Sequence, residues 1–325
     1  MSLKRKIKNT LKYIFFPFVK VDKLPIGAVL MLHRIEKIDK EKLWYNEHLK
    51  ISPEYLENLI IKFKKKGFKF VSLDKLRDVI VNKKKAKKLI AITLDDGYRD
   101  NFENGLAILK KHNVPFCIYV ATGMVGKQFI YWWYIIEDLI LANDEIILND
   151  GKKFDCSTKD KKEQAFLNIR EIILKLPQTA LAQGLPELLS NYKIDINAYN
   201  ETLPLTWDQI KALNEEPLAT IGCHTHSHLA FTGCSEQEIK DDIQLSRKLM
   251  KENANIKLAH FCFPFGDKAA ISDEHVKLLK QLDFKTSATT ADGICQYKTD
   301  IMELPRIFVT EKNGEDVLNR IYTGI

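Results

Sequence analysis

The chain carries no cysteine pair at metal or disulfide spacing, no long apolar run and no internal repeat. Its six cysteines (Cys117, Cys156, Cys223, Cys234, Cys262 and Cys295) lie far apart, with no Cys-x-x-Cys among them. Several sit inside apolar runs, so they read as reduced thiols in the core of a cytoplasmic protein. Glycine and proline are scarce, at 14 and 10 of 325 residues, while 45% of the chain is apolar and 29% charged. That balance excludes collagenous, low-complexity and wholly disordered chains. The apolar stretch near the N-terminus is seven residues long, is broken by Pro17 and lacks a small-residue cleavage site. It is too short to span a bilayer and is not expected to be a signal peptide.

Charge is uneven. Of 50 basic and 43 acidic residues, seven and one fall in residues 1–23, which leaves 43 and 42 for the remaining 302. The body is therefore close to neutral, which disfavours a nucleic-acid groove and leaves no nucleic-acid partner expected. From Lys4 to Lys23 basic residues alternate with Tyr13, Ile14, Phe15, Phe16, Phe18 and Val19. This composition fits either an interfacial amphipathic anchor in peripheral contact with an anionic membrane, at its inner face, or a basic surface helix. Residues 1–25 are set apart on this ground as a basic amphipathic N-terminal segment.

From residue 27 onward short apolar runs alternate with helical patterns, as in parallel βα units. Eight runs read as strands: 28–32, 68–73, 89–94, 115–121, 219–223, 259–263, 286–289 and 307–310. The fold expected is an α/β, distorted (β/α) barrel of seven or eight mainly parallel strands. Helices are expected over 52–66, opened by Ser52-Pro53, and over 235–253, opened by Ser235 with Glu238 three residues on. The rhythm stops between Gly126 and Leu205, where only helical patterns such as 134–142 and 161–176 occur. A single domain over 26–325 with a helical insertion at about 127–205 accounts for this.

In such a barrel, chemistry is expected where the C-terminal ends of strands meet loops. The polar residues at those places are His33, Asp95-Asp96-Gly97, His224 to His228, and Pro264 to Asp267. By itself Asp95-Asp96-Gly97 is either a solvated turn or a pair of carboxylates sent different ways by the alternation of an extended backbone. In His224-Thr225-His226-Ser227-His228 the outer two histidines are four apart and can share one side of a helical turn. With a carboxylate they would complete a two-His, one-Asp metal set that leaves positions open. Tyr131-Trp132-Trp133-Tyr134 is either a core anchor or a sugar-stacking face.

Thr93-Leu94-Asp95-Asp96-Gly97 and His224-Thr225-His226-Ser227-His228, each after a strand, resemble the first two motifs of the polysaccharide deacetylases, carbohydrate esterase family 4. The wider frame also fits: Leu32-His33-Arg34-Ile35, Trp207-Asp208-Gln209, Phe263-Pro264-Phe265-Gly266 and Leu304-Pro305-Arg306-Ile307. The resemblance implies a metal-dependent hydrolase that removes an N-acetyl group from an amino sugar of a cell-envelope glycan, or from a lipid-linked or nucleotide-linked precursor. It assigns the metal to Asp96, His224 and His228, the base to Asp95 and the oxyanion-binding backbone N–H to Phe265 beside Gly266. The metal expected is Zn²⁺, with Co²⁺ or Ni²⁺ as alternatives. His226, off the ligand pair, is expected to orient or pack.

Two departures from the family pattern stand out. The third motif, Phe261-Cys262-Phe263-Pro264-Phe265, lacks the usual Arg, which makes Arg306 a candidate to orient Asp95. The C-terminal Leu-x-His that supplies the general acid is also missing. Met31-Leu32-His33 resembles it, as in family members acting on poly-N-acetylglucosamine that carry the element on the first strand, so His33 is the candidate acid. Two other readings stay open: a deformylase acting on a lipid-linked amino sugar, and a catalytically inactive carbohydrate-binding protein.

Overall fold

The computed structural model describes residues 25–176, 180–267 and 271–324. The basic N-terminal segment therefore lies outside the described residues, save for Pro25. Seven strands form a closed ring: β1 (Pro25–Leu32), β2 (Leu89–Leu94), β3 (Phe116–Val120), β4 (Ala219–Cys223), β5 (His260–Cys262), β6 (Thr286–Asp292) and β7 (Leu304–Phe308). Each pairs in parallel with the next, and β7 returns to β1 through Val29 opposite Arg306. The ring is a parallel (β/α) barrel, as the alternation of runs and helices implied. The second expected strand, 68–73, shrinks to Lys69–Phe70 and stays outside the ring. It pairs with the first two residues of β2, and from Ile92 onward β3 takes over that edge. Ser72 then ends the run by accepting a hydrogen bond from Lys75 N–H and capping the next helix.

Period-two alternation sorts the strand residues. Ala28, Leu30, Leu32, Ile90, Ile92, Leu94, Ile118 and Phe261 face outward into the main core with the surrounding helices. Val29, Ala91, Cys117, Tyr119, Cys262 and Ala288 belong to a separate interior cluster. Gly222 on β4 belongs to that inward row, where a Cβ would come 2.4 Å from a Tyr119 ring carbon. Only glycine lets the ring lie there.

Helix α1 (Pro53–Lys65) is capped by the Ser52 side chain, which accepts from Tyr55 N–H, and it buries Leu56, Leu59, Ile60 and Phe63. Helix α2 (Leu73–Val81) sends Leu76, Val79 and Ile80 into the interior cluster of the barrel. Between β3 and β4 the chain forms α3 (Trp132–Ala142) and α4 (Lys159–Ile173), among shorter helices. This stretch is not wholly helical, because Glu145–Ile147 and Lys153–Asp155 pair as an antiparallel hairpin. The turn Asn149 to Lys152, with Gly151 at φ +82°, reverses the chain there. The stretch has an apolar core of its own, built from Trp132, Ile136, Ile146, Phe154, Phe166 and Ile169. Helix α5 (Glu236–Ala254) opens on a full capping box between Ser235 and Glu238.

Candidate active site

The inward rows of the barrel deliver the site. On β1 the row Val29, Met31 continues to His33, and on β2 the row Ala91, Thr93 continues to Asp95. On β4 Gly222 leads to His224, and β7 presents Arg306 from the register of Val29. Four strands thus converge on one mouth of the barrel, over a cavity of about 490 Å³.

Asp95 and Asp96 go separate ways. Asp95 keeps the extended phase and turns into the barrel, while Asp96 adopts a left-handed φ of +74°. That conformation is uncommon for a residue with a side chain and marks a site-forming turn. Arg306, only 1% exposed, grips Asp95 with both prongs: Nη1 donates to Oδ1 at 2.7 Å and Nη2 to Oδ2 at 2.8 Å. The guanidinium also donates to Thr289 carbonyl at 2.8 Å and to Thr93 Oγ1 at 3.2 Å. Burial alone would raise the Asp95 carboxyl, but Arg306 beside it overturns this and holds it below the usual range. Asp95 is thereby kept ionised.

Asp96 sits with the two histidines. His224 Nε2 and His228 Nε2 lie 3.3 and 3.2 Å from the same oxygen, Asp96 Oδ1. Two ligands about 2.1 Å from an ion at tetrahedral or octahedral angles stand roughly 3.0 to 3.4 Å apart, so this set fits a divalent cation. His224 Nδ1 bonds the Cys262 carbonyl at 2.8 Å, which leaves Nε2 aimed at the shared point. A left-handed φ of +52° at His228 swings its ring back beside His224, with centroids 4.9 Å apart. Asp95, His224 and Cys262 also bring donor atoms together. That set fits a cation poorly, because the Arg306 guanidinium already spans Asp95 and stands 3.1 Å from Cys262 Sγ.

His33 Nε2 lies 3.9 Å from Asp95 Oδ2, and its ring meets Phe308 edge-on at 5.8 Å. Burial pushes the imidazole below its ordinary value, and Asp95 offsets this only in part. The loop behind it is pinned by a buried pair, Arg34 Nε to Asp100 Oδ2 at 2.8 Å, with Tyr134 hydroxyl accepting from Arg34 Nη1 at 2.9 Å. Phe265 has a left-handed φ of +56° and stacks edge-on against His228 at 4.8 Å. Its N–H donates to no group among the described residues, whereas Gly266 N–H is spent on the Phe263 carbonyl. His226 is turned out of the cluster, its Nδ1 3.0 Å from Thr122 Oγ1. Trp132 and Trp133 are 3% and 9% exposed yet line the cavity, while Tyr131 is wholly core.

Three participants were not singled out in the sequence. Cys262, Thr93 and the Arg34–Asp100 pair support Asp95, Arg306 and the His33 loop from below or behind. Cys262 stands at the end of a strand, just before Phe263-Pro264-Phe265-Gly266, and that position was the available signal. Arg34 and Asp100 lie 66 residues apart with nothing local to link them.

The polysaccharide deacetylase family model matches residues 82–287. No curated protein sequence matches the chain. Among solved structures it is similar to the deacetylase PplD of Streptococcus pyogenes in complex with acetate, at 17% identity over 91% of this chain and 99% of that one, with a TM-score of 0.60. IcaB of Ammonifex degensii gives 16% identity over 91% and 97%, with a TM-score of 0.61. A de-N-acetylase of Aggregatibacter actinomycetemcomitans gives 16% over 92% and 99%, with a TM-score of 0.55. At these identities the structures share the fold, and the family match rests on its own span, which includes Asp95, Asp96, His224, His228 and Phe265. On that match, the chain belongs to the polysaccharide deacetylase family.

Proposed function

We propose that this protein is a metal-dependent N-deacetylase acting on an amino sugar of a cell-envelope glycan or of its lipid-linked or nucleotide-linked precursor. The observation that carries the reading is the pairing of two carboxylates with opposite duties: Asp96 joined to His224 and His228, and Asp95 joined to Arg306 within reach of His33. Asp96, His224 and His228 would hold the ion, Zn²⁺ before Co²⁺ or Ni²⁺ as the nitrogen-rich set favours. Bound there, such an ion acidifies water and polarises the amide carbonyl.

The chain's own groups supply the remaining steps. Asp95, kept ionised by Arg306, accepts the proton of the attacking water through a lone pair that the guanidinium leaves free. The Phe265 N–H stabilises the oxyanion as the carbonyl becomes tetrahedral. His33, its Nε2 3.9 Å from Asp95 Oδ2, gives its proton to the leaving nitrogen. Arg306 acts through Asp95 and is a positioning residue. The basic segment at 1–25 is read as a peripheral membrane contact on the inner face, in keeping with a precursor substrate.

The test is release of acetate and formate from a panel of N-acylated sugars with added Zn²⁺, Co²⁺ or Ni²⁺. Acetate release that needs metal and is lost in His224→Ala supports the reading. Formate release alone would turn it toward a deformylase, and no release of either under all three metals would refute it.

A further inference from the structure

Beyond the reacting centre, one wall of the cavity is a row of rings in contact. His33 meets Phe308 at 5.8 Å, Phe308 meets His48 at 5.5 Å, His48 meets Tyr45 at 6.2 Å, and Tyr45 stacks on Phe166 at 5.9 Å with 12° between the planes. Four residues after Phe166, one turn along α4, the half-buried Arg170 lines the same cavity. Its side chain has no hydrogen bond, ion pair or ring contact among the described residues. The cavity offers it no counter-charge either. The two carboxylates in the lining are Asp95 and Asp96, already taken by Arg306 and by the two histidines. His48 is no substitute, since it bonds the Trp44 carbonyl and carries no negative charge.

A guanidinium facing a largely apolar cavity without a partner is poised for a planar, bidentate anion, and carboxylate and phosphate are the groups its fork matches. We propose that the substrate is an amino sugar bearing an anionic substituent, and that Arg170 holds this anion at the end of the ring row away from His33. The inference rests on the deacetylase reading for the reacting end. It adds a substrate class that a neutral glycan chain does not satisfy.

The test uses the purified full chain and three probes: N-acetylglucosamine, N-acetylglucosamine 1-phosphate and N-acetylmuramic acid. Binding is followed by calorimetry, in the wild type and in Arg170→Gln and Arg170→Lys. One of the two anionic probes is expected to bind about tenfold or more tighter than the neutral sugar, the worth of one charge-assisted hydrogen bond. Arg170→Gln should bring that probe to the level of the neutral sugar, and Arg170→Lys should keep part of the preference. A phosphate preference points to a precursor ester and a carboxylate preference to an acidic sugar of the glycan. Equal binding of all three, undetectable binding of both anions, or a preference that survives Arg170→Gln at unchanged melting temperature overturns the proposal. Acetate release is measured in parallel. An Arg170-dependent preference without hydrolysis under any metal would refute the deacetylase reading and leave the anion site standing.

Discussion

Arg306 reaches Asp95 from the far end of the chain, 211 residues away, and meets it with two hydrogen bonds of 2.7 and 2.8 Å inside the barrel. The pair exists because β7 closes the ring against β1, which puts Arg306 one strand from His33 and two from Asp95. A charge this deep is tolerated only with its partner in place. Arg306→Met should therefore cost about 3 to 5 kcal/mol of stability, the usual loss when one half of a buried pair is removed. The double variant with Asp95→Asn should recover much of that loss, since both charges are then gone, without recovering activity. Chemical denaturation of the four proteins of the cycle measures the coupling. An Arg306→Met variant as stable as the wild type would show that the pair is not what holds the site.

Asp95→Asn alone should keep a full complement of metal, because Asp95 is assigned to proton transfer and its oxygens face Arg306. Turnover should drop by at least about 10²-fold, the range for a lost general base. Metal analysis and acetate release on one preparation check both halves. Near-normal turnover would hand the base role to another group.

His224→Ala should lose stoichiometric metal and keep the fold. The side chain stands at the end of β4, and its removal leaves the strand pairing of Ala219 to Cys223 untouched. Elemental analysis alongside a circular dichroism spectrum makes the comparison. Unchanged metal content would sink the ligand set.

How far the sequence could go is visible in these same residues. Asp96, His224 and His228 were legible because their motifs are short and lie at strand ends, where four or five residues carry the whole signal. His33 was legible by its place after the first strand and by the resemblance of Met31-Leu32-His33 to the family's Leu-x-His element. The separation of Asp95 from Asp96 followed in outline from alternation. The left-handed turn at Asp96 that brings its carboxylate to the histidines, φ +74°, did not, because aspartate tolerates that conformation without requiring it and the sequence does not say which residue of Asp95-Asp96-Gly97 takes it. The over-long strand at 68–73 failed because Val71 continues the apolar run while Ser72 already caps a helix. Arg170 and the row of rings were invisible. They depend on packing between α4 and the segment after β1, contacts over more than a hundred residues that periodicity does not encode.

His33→Ala should slow turnover while metal content stays normal. An essential acid together with an essential base gives kcat/KM a bell-shaped pH dependence, and the variant should lose the alkaline limb. The geometry sets the position of that limb. Burial disfavours the imidazolium, and kcat/KM reports the free enzyme, so the limb should lie below the value of about 6.5 expected for a free histidine. A histidine that merely packs against Phe308 would instead lower the melting temperature and leave the profile of the surviving enzyme unaltered.

His260 provides a pH test away from the site chemistry. It is 1% exposed on β5, with Nδ1 2.8 Å from Thr286 Oγ1 and Nε2 3.6 Å from Asp74 Oδ2, beyond hydrogen-bond reach. Burial pushes its imidazole down, and Asp74 restores only part of the loss. The folded state therefore holds fewer protons at this group than the unfolded chain, in which the histidine titrates near about 6.5. Stability should be fully present above that value and should fall as pH drops from there toward the lowered folded value, since the unfolded state gains the proton first. Melting temperatures of chelator-treated protein over roughly pH 8 to 5 record the total slope of all such groups. The difference between wild type and His260→Asn isolates this one, and the variant's curve should be the shallower. Parallel curves would mean that His260 is protonated equally in both states, and the buried-neutral assignment would fail.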